Sequence, residues 1–100
     1  MNIIYLTGFK TYIGTMFRKV KDEVYILDLK KERKASVHTY FCLQELDIFL
    51  VNEKLEIVES YKNIKPFRVI FPKNKFRYII EGRNLDENKV KNIIKLLEPR

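Results

Sequence analysis

Apolar positions along the chain fall into two patterns. From Asn2 to Gly82 they come in short runs: "NIIYL", "EVYILDL", "SVHTYFCL", "LDIFLV", "LEIVESY", "RVIF" and "FRYIIEG". Runs of this length, rich in β-branched and aromatic residues and parted by turn residues, predict short strands. The breaks are "KKERK" (Lys30 to Lys34) as a charged loop, Gln44–Glu45 as a tight turn, "NEK" (Asn52 to Lys54), the stop at Pro66 and the turn "PKNK". "TGFKTYIGTMFRKV" fits neither pattern: Gly8 and Gly14 interrupt it while Tyr12, Ile13, Met16 and Phe17 sit near helical spacing, which predicts a short helical segment or irregular turn. Beyond Gly82 the period changes. Val90, Ile93, Ile94 and Leu97 fall at i, i+3, i+4 and i+7, an amphipathic helix over about residues 86–97. Asp86 is its expected N-cap, Glu87 suits the positive helix start, and Pro99 ends it. Its apolar stripe is expected to cover an open side of the sheet, with Lys89, Lys91 and Lys95 in solvent. The reading is a mainly β (α+β) fold: a small antiparallel barrel-like or sandwich sheet, a short N-terminal helical segment and a C-terminal helix.

The stretch "ASVHTYFCLQELDIFLV" holds the only histidine, the only cysteine and an aspartate between apolar neighbours. Read as one hairpin of residues 36–43 and 46–51, strand alternation puts His38, Tyr40, Cys42, Asp47, Phe49 and Val51 on one face. Val37, Thr39, Phe41, Leu43, Leu46, Ile48 and Leu50 then share the other. His38 and Cys42 stand roughly 13 Å apart on such a strand, beyond the reach of a nucleophile pair. One histidine and one cysteine cannot supply a zinc site, and Asp22, Asp28, Asp47 and Asp86 show no close spacing, so no metal or cofactor is expected. Asp47, between Leu46 and Ile48, is expected to be partly buried and to need a donor, with Arg18, His38, Thr39 and Tyr40 as candidates.

One hundred residues support a single domain with one core. The hydrophobic fraction of 46% and charged fraction of 33% describe a globular chain. No run approaches the ~18 apolar residues of a membrane span. "MNIIYLTGFK" lacks a basic n-region and cleavage site, and one cysteine suits a reducing compartment, so the expected location is the cytoplasm. The many Lys, Ile and Glu, with Gln44 the only glutamine, resemble a thermophile's composition. A net charge of +7 serves solubility and also favours anionic partners.

Several of these stretches together resemble the domain of unknown function 192 family. "GTMFR", "SVHTYFCLQELDIFLV", "KPFRVI" and "FRYIIEG" follow in the family's order from about Gly8 to Gly82. Gly14, Met16, Phe17 and Arg18 match its first element. Ser36, His38, Thr39, Phe41 and Asp47 match the second, Pro66, Phe67 and Arg68 the third, and Glu81 the last. Glu45 replaces the usual proline, Cys42 replaces a methionine, and the usual Leu-Pro-Ala-Gly ending is missing. The resemblance implies a compact, mainly β, barrel-like domain with a small helical part, and no activity. Many bacterial relatives are exported.

Three functions compete. A non-enzymatic ligand-binding or accessory module would hold a small anionic or polar ligand with Arg18, His38, Tyr40, Asp47 and Arg68. A nucleic-acid-binding protein would use Lys62, Lys65, Arg68, Lys73, Lys75 and Arg77, which lie with Tyr61, Phe67, Phe71, Phe76 and Tyr78 in a stretch free of acidic residues. An enzyme with His38 as general base needs a partner group that the sequence does not show.

Overall fold

A computed structural model describes residues 2–7, 23–38 (His38 as backbone) and 44–98. Its strands are β1 (Asn2–Thr7), β2 (Glu23–Arg33), β3 (Val37–His38), β4 (Leu46–Val51), β5 (Ile57–Ile64), β6 (Val69–Ile70) and β7 (Phe76–Gly82), followed by helix α1 (Glu87–Lys95). Five strands form one sheet in the order β1-β2-β7-β4-β5, and β3 and β6 form a separate two-stranded ribbon. The expected mainly β fold with a C-terminal helix is what the chain adopts. The helical segment expected within residues 8–22 lies outside the described residues.

The sheet is covered on both faces, which explains why "LDIFLV" is apolar at almost every position. On one face Tyr25, Leu27, Leu46, Ile48, Leu50 and Ile79 pack with Val37 and Ile70 of the ribbon. On the other, Val24, Ile26, Phe49, Val51 and Ile80 pack under Val90, Ile93 and Ile94 of α1. Alternate residues of each strand thus serve two cores, the ribbon's and the helix's.

Three expectations change. First, residues 36–38 do not pair with 46–51. β3 pairs with β6 (Val37↔Ile70, His38↔Val69), while β4 lies between β7 and β5. A strand buried on both faces belongs inside the sheet, so β4 takes two long partners and β3 is left to the covering ribbon. Second, the sheet is mixed, because β1 runs parallel to β2 in unbroken register from Asn2↔Glu23 to Thr7↔Asp28. Third, most of "KKERK" is strand. β2 runs on to Arg33 through an irregularity, with Asp28 opposite Tyr78 but Arg33 opposite Phe76. Lys30 takes φ 72° there. The neighbouring turn holds the extension: Glu32 N–H donates to Glu53 (3.0 Å) and Glu53 N–H donates to Glu32 (3.0 Å).

α1 begins as its sequence requires. Asp86 is extended (φ −126°) and its carboxylate accepts the Lys89 N–H at 2.7 Å. Leu96 closes the other end, its N–H donating to the Ile93 carbonyl at 3.0 Å. Because this cap serves a helix that seals one core, Asp86→Ala should lower stability by about 1 kcal/mol, and Asp86→Asn by much less. Urea denaturation followed by circular dichroism measures both.

Candidate functional site

Asp47 is 3% exposed and lies on the α1 side of β4, opposite Gly82 of β7. Two features of its neighbours create donors for it. In β5 the register against β4 shifts between Leu46↔Ile64 and Ile48↔Tyr61, leaving one extra β5 residue opposite Asp47. Asn63 absorbs this bulge at φ 55°, a left-handed conformation that asparagine tolerates better than most residues. Its N–H donates to Asp47 Oδ1 at 2.8 Å. After β7 the chain reverses through Asn84, also at φ 55°, and returns Leu85 N–H to Asp47 Oδ2 at 2.9 Å. Gly82 leaves room for that return: a Cβ there would stand 3.3 Å from Leu85 Cδ1. The Lys62 ammonium completes the set at 3.0 Å from Oδ2 and also donates to the Leu85 carbonyl.

Burial alone would push the Asp47 carboxyl up. The Asn63 N–H, Lys62 and the Leu85 N–H outweigh it and hold the group below the ordinary carboxylate range. A carboxylate met by three donors is a structural anchor, with little capacity left for a ligand.

A second buried carboxylate, Asp28, was not among the expected site residues. It is 1% exposed. Arg77 reaches it with Nε at 2.9 Å and a second nitrogen at 3.3 Å, Lys30 N–H donates at 2.8 Å, and the Tyr5 hydroxyl also donates. These donors likewise outweigh burial and lower its pKa, and the same contact, with burial, drives the Tyr5 hydroxyl up. The signal was legible: Asp28 stands between Leu27 and Leu29 as Asp47 stands between Leu46 and Ile48.

The expected ligand site is not gathered around Asp47 by the described residues. Arg18 and Tyr40 lie outside them, as does Thr39. β3, with the His38 backbone, belongs to the ribbon on the far side of the sheet from Asp47, and Arg68 is exposed just before β6. The donors that Asp47 does have, two backbone N–H groups and Lys62, replace those expected from side chains. Glu81 is buried in register with Tyr25 and Ile48, on the ribbon's side. Beside Lys62 a shallow groove of about 320 Å³ is lined by Phe49, Ile57, Ser60, Asp86 and Glu87.

The basic and aromatic stretch divides sharply. Lys62 and Arg77 are committed to Asp47 and Asp28. Phe76 and Tyr78 are core, with the Arg77 guanidinium 4.9 Å over the Tyr78 ring. Tyr61 donates to Glu59 and is pushed up to about 12 by burial and that carboxylate. Glu59 in turn accepts the Asn74 N–H at 2.8 Å, which fixes the turn between β6 and β7. What remains outside is the ribbon: Phe67 is 65% and Phe71 77% exposed, and Lys65, Arg68, Lys73 and Lys75 are all exposed around them. Among the described residues no cluster of His, Cys, Asp and Glu could hold a metal ion, and no helix is long and apolar enough to cross a membrane.

A mixed five-stranded sheet sealed by a ribbon and a helix, with its buried carboxylates satisfied internally, defines a class of small β-rich modules. The chain belongs to the UPF0127 family. It is 37% identical over 81 residues to a UPF0127 protein of Pyrococcus horikoshii, covering 79% of this chain and 70% of that one. It is 35% identical to one of Pyrococcus furiosus, covering 73% and 63%. A UPF0127 protein of Thermococcus sibiricus is 34% identical, covering 75% and 49%, so the chain spans from about half to 70% of these relatives. No protein-family model matches. Two crystal structures share the fold at 17% identity. A Sinorhizobium meliloti protein, provisionally described as a transcription regulator, has a TM-score of 0.75 over 91% of this chain and 72% of its own. A protein of unknown function from Novosphingobium aromaticivorans has a TM-score of 0.73 over 81% and 61%.

Asp47→Ala should cost about 2–3 kcal/mol, because it strands the buried Leu85 N–H, leaves the part-buried Asn63 N–H without its acceptor and removes the partner of Lys62. Lys62→Met should cost only about 1 kcal/mol, since that amine is half exposed. Thermal and urea denaturation compare the two. Asp47 and Asp28 both have folded pKa values below those of the unfolded chain, about 3.9. Their stabilisation is therefore complete above about pH 5 and is lost as pH falls through the lower folded values. Urea midpoints should accordingly fall steeply below about pH 4, and less steeply in Asp47→Asn.

Proposed function

We propose that this protein is a non-enzymatic binding module whose contact surface is the β3–β6 ribbon with its flanks, residues 65–75, and that its ligand is single-stranded nucleic acid. One observation carries the reading: Phe67 and Phe71 stand in solvent among four exposed cations, although buried sites for aromatic rings lie within a few residues, at Phe76 and Tyr78. Exposed rings give stacking platforms for bases, and flanking cations track phosphates. The segment from Ser60 to Ile80 contains no acidic residue, and the carboxylate just before it, Glu59, is engaged by Asn74. The provisional description of the Sinorhizobium meliloti structure is compatible with the reading and adds only the fold. The narrower resemblance to the domain of unknown function 192 family rests on the motifs quoted above and implies no competing activity.

The alternative, a small polar ligand held by Arg18, His38, Tyr40, Asp47 and Arg68, draws less support because Asp47 already has its three donors. An enzyme with His38 as base needs a partner group that the sequence does not show.

Fluorescence anisotropy with a labelled oligothymidylate tests the reading. Binding should weaken steeply with salt, as expected for about three or four phosphate contacts. Phe71→Ala should weaken it by about tenfold, within the ~1–3 kcal/mol that a stacked base contributes. No binding at low salt, or equal binding by Phe71→Ala, would remove the proposal.

A further inference from the structure

The five-stranded sheet ends in two unlike edges. β5 carries the devices that keep a strand edge from pairing: register shifts, a bulge with Asn63 at φ 55°, and the exposed residues Lys62 and Asn63. β1 carries none. "NIIYLT" has no charge and no proline, and its register on β2 is unbroken. No described strand pairs with its outer side. Ile4 and Leu6 pack inward against the ribbon-side core. Ile3 and Tyr5, in register with Val24 and Ile26 on the α1 side, are 38% and 48% exposed. The edge is also held in place, because the Tyr5 hydroxyl donates to Asp28, which Arg77 of β7 anchors.

We propose that β1 is an interface between two copies of this chain, joined edge to edge and antiparallel so that ten strands make one sheet. The two-fold axis must stand perpendicular to the sheet, which keeps the α1 sides together. Residues directly opposite each other then share the same face, so odd positions meet odd positions and even meet even. A register centred on Ile4 sets Ile3 opposite Tyr5 of the partner subunit, and does so twice. An aromatic ring against a β-branched side chain is a favourable cross-strand pair.

The charge distribution selects a second copy as the occupant. With a net charge of +7, two copies repel over most of their surface. β1 is the sheet edge whose own described residues, Asn2 to Thr7, set no charged side chain against its like. A strongly acidic or basic strand would find no opposite charge to meet there. A strand pair of this length makes a small interface, so the dimer should form reversibly.

Sedimentation velocity on the full chain from micromolar to millimolar concentration tests this. The wild type should show a reversible monomer–dimer equilibrium, and Ile3→Lys, which changes an exposed position, should raise the dissociation constant about tenfold or more. Circular dichroism confirms that the variant is folded, and Ile3→Thr serves if it is not. In a mixture of isotope-labelled and unlabelled chains, intermolecular nuclear Overhauser effects should join Ile3 methyls to the Tyr5 ring. A monomer at every concentration, a folded variant that dimerises as well as wild type, or intermolecular contacts confined to other surfaces would overturn the proposal.

Discussion

The fold depends on a carboxylate that holds three pieces of chain at one point. Asp47 belongs to β4 but accepts from the bulge of β5 and from the loop that leaves β7 for α1. Each of those N–H groups is turned inward by a left-handed residue, Asn63 or Asn84. Without an acceptor the Leu85 N–H would be buried and unpaired, which costs more than an ordinary hydrogen bond returns. The anchor also aims the helix. Leu85, whose N–H it holds, immediately precedes the cap Asp86, so the direction in which α1 leaves the sheet is set at Asp47. Packing of Val90, Ile93 and Ile94 follows from that placement.

Asp28 repeats the arrangement at the other end of the sheet. It too sits beside a break in register, accepts an N–H from a left-handed residue, Lys30, and draws in a cation from another strand. Both buried aspartates therefore do one job: they satisfy the backbone where a strand departs from regular pairing. That job places two of the chain's cations, Lys62 and Arg77, in structural pairs, whereas the exposed Lys91–Glu87 pair at 3.6 Å can contribute little.

Local pattern carried most of the secondary structure. β1, β4, β7 and α1 were legible because their apolar periods are unbroken, and the helix start was legible because a cap is a short-range interaction. Pairing was not, since apolar periodicity states that a strand is buried without stating by whom. Hence the expected hairpin of residues 36–43 with 46–51, where the chain instead sends β3 to β6. The burial of Asp47 could be read from Leu46 and Ile48, yet its donors could not. Two of the three are backbone groups, presented by left-handed asparagines that look like ordinary loop residues in sequence. Asp28 had the same apolar neighbours and could have been found by the same reasoning.

Once the structural pairs are set aside, the chemistry left at the surface has a definite location. A ring exposed beside cations is expensive to keep if its only use is packing, because moving it into a core would remove apolar area from water at roughly 25 cal/mol per Å². Phe76 and Tyr78 show that this chain does bury its rings where they meet the sheet. Phe67 and Phe71 are different in kind: Phe71 follows directly on Ile70, which the ribbon commits to the core, and Phe67 stands in the turn before β6 at φ 62°. Exposed positions beside a strand are more often polar, as at Arg68, and Phe67 and Phe71 depart from that. The ribbon's inner side seals a core, while Phe67, Val69 and Phe71 are exposed in and beside it. The binding surface proposed above therefore lies on the ribbon and its flanks, away from Asp47.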